Sequence, residues 1–302
     1  MDAVLPILRR DIERSKLLFR SLAQNFADLG TLFVVTRDSE VRAVRDLAKS
    51  LPRRLNVRVE SELTIAPELR ITHCSGWYRQ QVVKLAIAEH VESELYLTLD
   101  ADVVCTRPVS DAELAPGGRG LCHLLNENSH PLWYERSAKV LGMAPVRTGI
   151  LHNVTPAVLH RSAVRELARF FDERAEKRRY APGLRGLRQA LKLGAARWFG
   201  AKDYAPWRLM LTAGLPWTEY ALYYTFLEAT GLFDRFHVVS PFCVYDVERS
   251  IWYRKHDDFG DWDPAPCFAG SGPPWFVVVQ SNTHLEPERV QAKFAPYLLE
   301  SP

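Results

Sequence analysis

Apolar runs and helical periodicity alternate along the first third of the chain. Residues 3–8 (AVLPIL) form a continuous apolar stretch, the pattern of a buried strand. Residues 11–26 then place Ile12, Leu17, Leu18, Phe19 and Leu22 on a broad helical face. A second strand is expected at 31–36 (TLFVVT), a helix over about 38–50, and an alternating third strand at 56–60 (NVRVE). Helical signals return at 77–91. Residues 95–104 (LYLTLDADVV) are expected as one strand carrying two carboxylates at its end. This β-α-β-α succession predicts an α/β fold, with a mainly parallel sheet covered by helices on both faces. Ligands of such sheets sit at the carboxyl ends of the strands.

The second half is more mixed. Strands are expected at 119–125, 236–245 and 275–280, and helices at 133–142, 218–229 and about 286–298. Thr155-Pro156 has the form of a helix start, Thr155 as cap and Pro156 in the first turn, leading a helix to about 178. Neither an internal repeat nor a low-complexity linker interrupts the chain. The pattern favours one domain over 1–302: a ligand-binding half over about 1–110, and a mixed half over about 111–302 with a basic helical insertion at 173–208.

Composition narrows the class. With 47% hydrophobic and 25% charged residues in 302, the chain has the make-up of a globular protein. A formal charge of only +3 gives no sign of nucleic acid as a partner. Cys74, Cys105, Cys122, Cys243 and Cys267 are odd in number and lack the spacing of a zinc knuckle, so reduced thiols in a reducing compartment are expected. The first residues lack the apolar core of a signal peptide, and no stretch approaches a membrane span. A cytoplasmic protein, soluble or peripheral on the inner face of the membrane, is the expectation.

The candidate chemistry centres on Asp100-Ala101-Asp102. On a strand, residues i and i+2 share a face, so the two carboxylates can reach one cation. Hard divalent ions such as Mg²⁺ and Mn²⁺ prefer carboxylate and phosphate oxygen. Such an ion acts as a Lewis acid on a departing diphosphate. The bland alternative is a strand-end turn with two solvated carboxylates.

The order of strand 3–8, helix, strand 31–36, helix 77–91 and then LTLDADVV resembles the nucleotide-binding half of GT-A glycosyltransferases. The stretch Gly76-Trp77-Tyr78-Arg79-Gln80-Gln81-Val82-Val83-Lys84-Leu85, followed by that DxD, is also similar to a bacterial family of poorly characterised GT-A-like proteins. The resemblance covers most of the chain apart from about 175–210. It implies a GT-A fold with a mixed acceptor subdomain, a UDP- or similar nucleotide-sugar donor, Mn²⁺ or Mg²⁺, and a glycan or lipid-linked acceptor, in bacterial surface polysaccharide or glycolipid synthesis.

Residue by residue, the resemblance places Pro6, Asp38, Arg79, Gln80, Lys84 and Ala101 at the donor. Arg79 and Lys84 supply charge there; the alternative is a solvated helix face. His284, after WFVVVQSNT, stands where several GT-A families place a third metal ligand; otherwise it is a surface histidine in a turn. Glu219 stands where inverting GT-A enzymes carry the base that deprotonates the acceptor. A glutamate in a first helical turn also complements the helix dipole without any catalytic role. Trp217 and Tyr220 suit sugar stacking or core packing equally. His152 and Asn153 suit hydrogen bonds to donor sugar or acceptor, or a turn.

The insertion carries ten Lys or Arg against three acids from Glu173 to Arg208. Its segment 184–199 sets Leu184, Leu187, Leu191, Trp198 and Phe199 among Arg185, Arg188, Lys192 and Arg197, a pattern suited to an anionic membrane surface or to a basic flap. Three other functions compete. LTLDADVV also fits a haloacid-dehalogenase-like phosphatase with Asp100 as nucleophile and Asp257, Asp258 and Asp261 as its late acidic cluster, although that nucleophile normally follows the first strand. A nucleotidyltransferase lacks its Gly-rich basic loop here. A non-catalytic nucleotide- or glycan-binding module would keep the fold without turnover.

Overall fold

The computed structural model describes residues 1–72, 74–125, 130–144, 150–151, 155–179, 204–212, 216–253 and 259–298. Strands β1 (Asp2–Pro6), β2 (Thr31–Thr36), β3 (Asn56–Ser61), β4 (Leu95–Thr98) and β8 (Ala157–His160) form a five-stranded sheet in the order β3-β2-β1-β4-β8. The first four run parallel, and β8 closes the far edge antiparallel to β4. The expected mixed α/β architecture, mainly parallel and flanked by helices, is the observed one.

The sequence of β1 shows why both faces are covered. Val4 points into one apolar cluster with Phe33, Val35 and Tyr96, roofed by helices Gly76–Ala86, Arg161–Arg179 and Glu219–Ala229. Ala3 and Leu5 point into the other, with Leu32, Val34, Leu97 and Leu99, under helix Ile12–Asn25. A strand buried on both sides must be apolar at every position, which is why β1 and β2 are continuous apolar runs. At the edge, β3 carries Arg58 and Glu60, and such charges discourage pairing with another chain.

Two smaller sheets build the second half. Strand β6 (Gly120–Leu125) lies between β7 (Ile150–Leu151) and β9 (His237–Ser240). Strand β5 (Val103–Cys105) pairs antiparallel with β10 (Phe276–Val278), and helix Pro287–Phe294 packs behind them in a third cluster around Val277 and Val279.

Several expectations need correction. The single strand 95–104 is two strands in different sheets. Leu99 still donates its N–H to the Val4 carbonyl (2.9 Å). Asp100, Ala101 and Asp102 then form a turn, and β5 starts at Val103. Pairing explains the break: β4 belongs to β1, whereas β5 belongs to β10. Thr155-Pro156 starts no helix. Residues 157–160 extend along β4, and the helix begins at Arg161, because the edge of the main sheet supplies β8 with a partner. The strand expected over 236–245 covers only 237–240, and the one over 275–280 only 276–278. The segment 184–199 proposed for membrane contact lies outside the described residues. No helix among the described residues is long and apolar enough to cross a membrane.

Candidate active site

A cleft of about 370 Å³ opens at the carboxyl ends of β1 and β4. Pro6 and Leu8 line it from the end of β1, and Asp100, Ala101 and Asp102 form its floor. One face of helix Gly76–Ala86 makes a wall. Trp77, Gln80, Gln81 and Lys84 follow the spacing i, i+3, i+4, i+7 and all line the cleft. Ser75 caps this helix, its hydroxyl accepting the N–H of Tyr78. The start of helix Glu219–Ala229 supplies Thr218, Glu219 and Tyr220, and Gln280, Ser281 and Asn282 close the far side.

The floor is a charge cluster in which buried Lys84 and Glu219 meet half-buried Asp100 and Asp102. Lys84 is 3% exposed, and its ammonium lies 2.9 Å from Asp100 Oδ1 and 3.2 Å from Glu219 Oε1. It also stands 5.5 Å from the centre of the Tyr220 ring. The second oxygen of Asp100 accepts from the Thr155 hydroxyl. Asp102 Oδ2 accepts the backbone N–H of Ser281 (2.7 Å), and its carbonyl accepts that of Val279 (3.0 Å), which ties the turn to the far wall. Glu219 is set by Gln81, whose side-chain oxygen accepts the Glu219 N–H (3.1 Å). Tyr220 is set by Thr98 on β4, with the two hydroxyl oxygens 2.7 Å apart.

The electrostatics follow from this crowding. Burial disfavours the Lys84 ammonium, but the Asp100 charge, then Tyr220 and Glu219, more than reverse that, and its pKa stands well above the ordinary value. Burial pushes the Asp102 carboxyl up to about 6 and the Asp100 charge adds to it, against the Ser281 N–H and Arg14. Burial also raises Glu219, with Lys84 opposing and Asp100 adding. At the floor Lys84 faces three carboxylates, and Arg10 and Asp11 add one charge of each sign to the lining, which leaves an excess of negative charge that a divalent ion would offset.

The remaining sequence-derived residues divide. Pro6, Gln80, Lys84, Ala101, Asp100, Asp102, Glu219 and Tyr220 come together in the cleft. Arg79 faces a small neighbouring pocket at the ends of β1 and β2, where its guanidinium bonds both oxygens of Glu62 and the Leu69 carbonyl (2.9 Å). Its charge is thus already paired. Asp38 is exposed and accepts the Ser61 hydroxyl (3.0 Å) without lining either pocket. His284 stands exposed with a left-handed backbone (φ 59°) directly after the tight turn Ser281–Thr283 and is not among the residues that line the cleft. No cluster of three or more potential metal ligands occurs among the described residues. Trp217 is 1% exposed and donates its indole N–H to the Leu211 carbonyl, so it packs in the core and offers no ring face to a sugar. His152, Asn153, Asp257 and Asp258 lie outside the described residues.

Other site residues gave no readable signal. Thr155 and Ser281 hold the two aspartates, yet both come from segments far away in the chain, and hydroxyl residues are common in loops. Gln81 is one glutamine beside another on a helix. The aromatic groups of the cleft that reach solvent are Trp77, which is exposed, and Trp133 and Trp252, which are half-buried, not the aromatics around Glu219.

Three comparisons bear on relationship. No curated protein matches the sequence. Among solved structures, the apo crystal structure of mouse Xyloside xylosyltransferase 1 aligns at a TM-score of 0.45 and 13% identity, covering 95% of this chain and 100% of that one. A model described as a family of unknown function, DUF6492, matches residues 1–302, and the chain belongs to that family.

Proposed function

We propose that this protein is a metal-dependent glycosyltransferase of the GT-A type, moving a sugar from a nucleotide-diphosphate donor to a glycan or lipid-linked acceptor. The observation that carries the reading is the charge cluster of Asp100, Asp102, Lys84 and Glu219 at the carboxyl ends of β1 and β4, the place where parallel sheets bind ligands. UDP-sugars are the favoured donors, following the resemblance of the β-α-β-α-DxD order. Bacterial surface polysaccharide or glycolipid synthesis is the setting that the same resemblance suggests.

The donor set fits Mn²⁺ or Mg²⁺. Mg²⁺ in particular is commonly held by one or two carboxylates, with substrate phosphates and water completing the shell, so Asp100 and Asp102 suffice without a third protein ligand. When bound, the ion supplies Lewis-acid stabilisation of the leaving diphosphate. The chain's own residues do the rest. Thr155 and Lys84 hold Asp100, and the Ser281 N–H holds Asp102, so the carboxylates keep one geometry. Lys84 stays cationic and neutralises part of the charge gathered at the floor.

In the transfer, the bond from the sugar C1 to the diphosphate oxygen breaks and a bond from C1 to the acceptor oxygen forms. The nucleoside diphosphate leaves with the bonding pair, and the acceptor hydroxyl gives up its proton. Glu219 lines the cleft with a raised pKa, which suits it to take that proton in an inverting reaction. A phosphatase using Asp100 gains no support, since Asp100 follows the fourth strand of the sheet.

A nucleotide-sugar panel tests the reading. Incubation with Mn²⁺ should give donor hydrolysis or a thermal shift with at least one UDP-sugar, abolished by EDTA. No metal-dependent effect with any donor would sink it.

A further inference from the structure

Side-chain amides and an exposed aromatic group together line the cleft. Trp77 is 48% exposed although it lines the cleft. Gln80 lies one helical turn deeper, and Lys84 is at the inner end beside Asp100. From Lys84 to Trp77 the helix rises about 10 Å. Trp133 stands next to Trp77, ring centres 6.1 Å apart, and one of its faces is already covered by His130, stacked at 3.9 Å. The Trp77 ring also meets Tyr78 edge-to-face at 5.1 Å, yet it stays exposed where Trp133 is half-buried, so Trp77 offers the more accessible ring of the pair. Asn282 faces the cleft from the opposite side.

An indole that stays exposed at the mouth of a charged cleft needs an occupant with an apolar face. Side-chain amides beside it call for hydroxyl groups around that face. A pyranose ring has both: C–H bonds across one face and hydroxyls around its rim. A lipid chain would leave the amides unpaired, and a bare phosphate would leave the indole unused.

We propose that Trp77 is the floor of an acceptor subsite and that the acceptor is a carbohydrate, its ring stacked on Trp77 and edged by Gln80 and Asn282. The transferred sugar lies between this ring and Asp100. This inference rests on the glycosyltransferase reading for the reaction, but not for the binding of the ring.

Saturation-transfer NMR on the full chain, with Mg²⁺ and UDP present, tests it. The probes are the methyl α- and β-pyranosides of glucose, galactose and mannose and their tetrasaccharides. Saturation should reach the ring protons of at least one probe. Trp77→Ala should weaken that binding about tenfold, while Trp77→Phe, which restores an aromatic face, should hold it within about threefold. Trp77 is exposed, so both variants should fold, and circular dichroism checks this. UDP binding without any pyranoside binding overturns the subsite alone, as does a pyranoside bound equally by Trp77→Ala. Adsorption to phosphatidylglycerol vesicles that requires Trp77, with no pyranoside bound, also overturns it. Pyranoside binding through Trp77 without UDP binding leaves the subsite standing and removes the glycosyltransferase reading.

Discussion

Two clusters of ionic groups among the described residues each set one cation among three carboxylates, and they differ in what those carboxylates face. In one, Arg208 is 5% exposed and Glu68 is fully buried, with Arg208 Nε 2.8 Å from Glu68. Glu68 also accepts the Ala205 N–H, Asp172 accepts the Trp207 N–H (2.8 Å), and Glu89 accepts the Trp207 indole while reaching solvent. Every carboxylate there meets a protein donor, and the cluster fastens helix Pro206–Leu211 to helix Arg161–Arg179 and to the turn Pro67–Arg70. In the other, Lys84 serves Asp100 and Glu219 together, and Asp102 adds a third carboxylate facing a cleft. Burial alone does not mark a functional site. What sets the cleft cluster apart is that its carboxylates face a ligand-sized space.

Substitutions should separate the two. Asp102→Asn in the cleft should lower metal-dependent turnover of a UDP-sugar by about a hundredfold or more. The same change removes like-charge repulsion with Asp100, so the melting temperature should hold or rise. Full activity in Asp102→Asn would refute the metal role.

Arg208→Met should behave in the opposite way. It leaves Glu68 buried without its cation and should cost about 3–5 kcal/mol of stability, measured by urea denaturation. A Met variant as stable as the native chain would show that the Arg208 cluster holds nothing together.

The smallest expected effect is pH-dependent. The Asp102 carboxyl stands at about 6 in the folded protein against 3.8 ordinarily, so without metal its contribution to stability falls as pH rises through that window. A divalent ion needs the ionised form, so the thermal shift given by Mn²⁺ with UDP should be slight at about pH 5 and full by about pH 7.5. A metal-induced shift independent of pH across this range would place the ion elsewhere.

The first half of the fold was legible because a parallel sheet buries both faces of each strand, and an apolar run such as TLFVVT has little other use. Lys84 and Asp100 were legible as types near a sheet end. Their pairing was not, because their contact joins a helix to a turn after the next strand. The boundary inside LYLTLDADVV was invisible as well: every residue up to Thr98 and after Asp102 suits a strand, and only the two different partners split it. Trp217 and Trp77 are both tryptophans near a helix start, and sequence spacing cannot tell a core ring from an exposed one.

The sequence by itself determined the alternation of strands and helices and the placing of two carboxylates after the fourth strand. These depend on neighbours in the chain, where periodicity and residue type carry the information. Tertiary structure decided which groups share the cleft: Lys84 with Asp100 and Glu219, Thr155 and Ser281 behind the aspartates, and Trp77 exposed in its lining, with His284 outside that lining. Such contacts join residues tens to hundreds of positions apart, and only packing fixes which of many equivalent side chains meet.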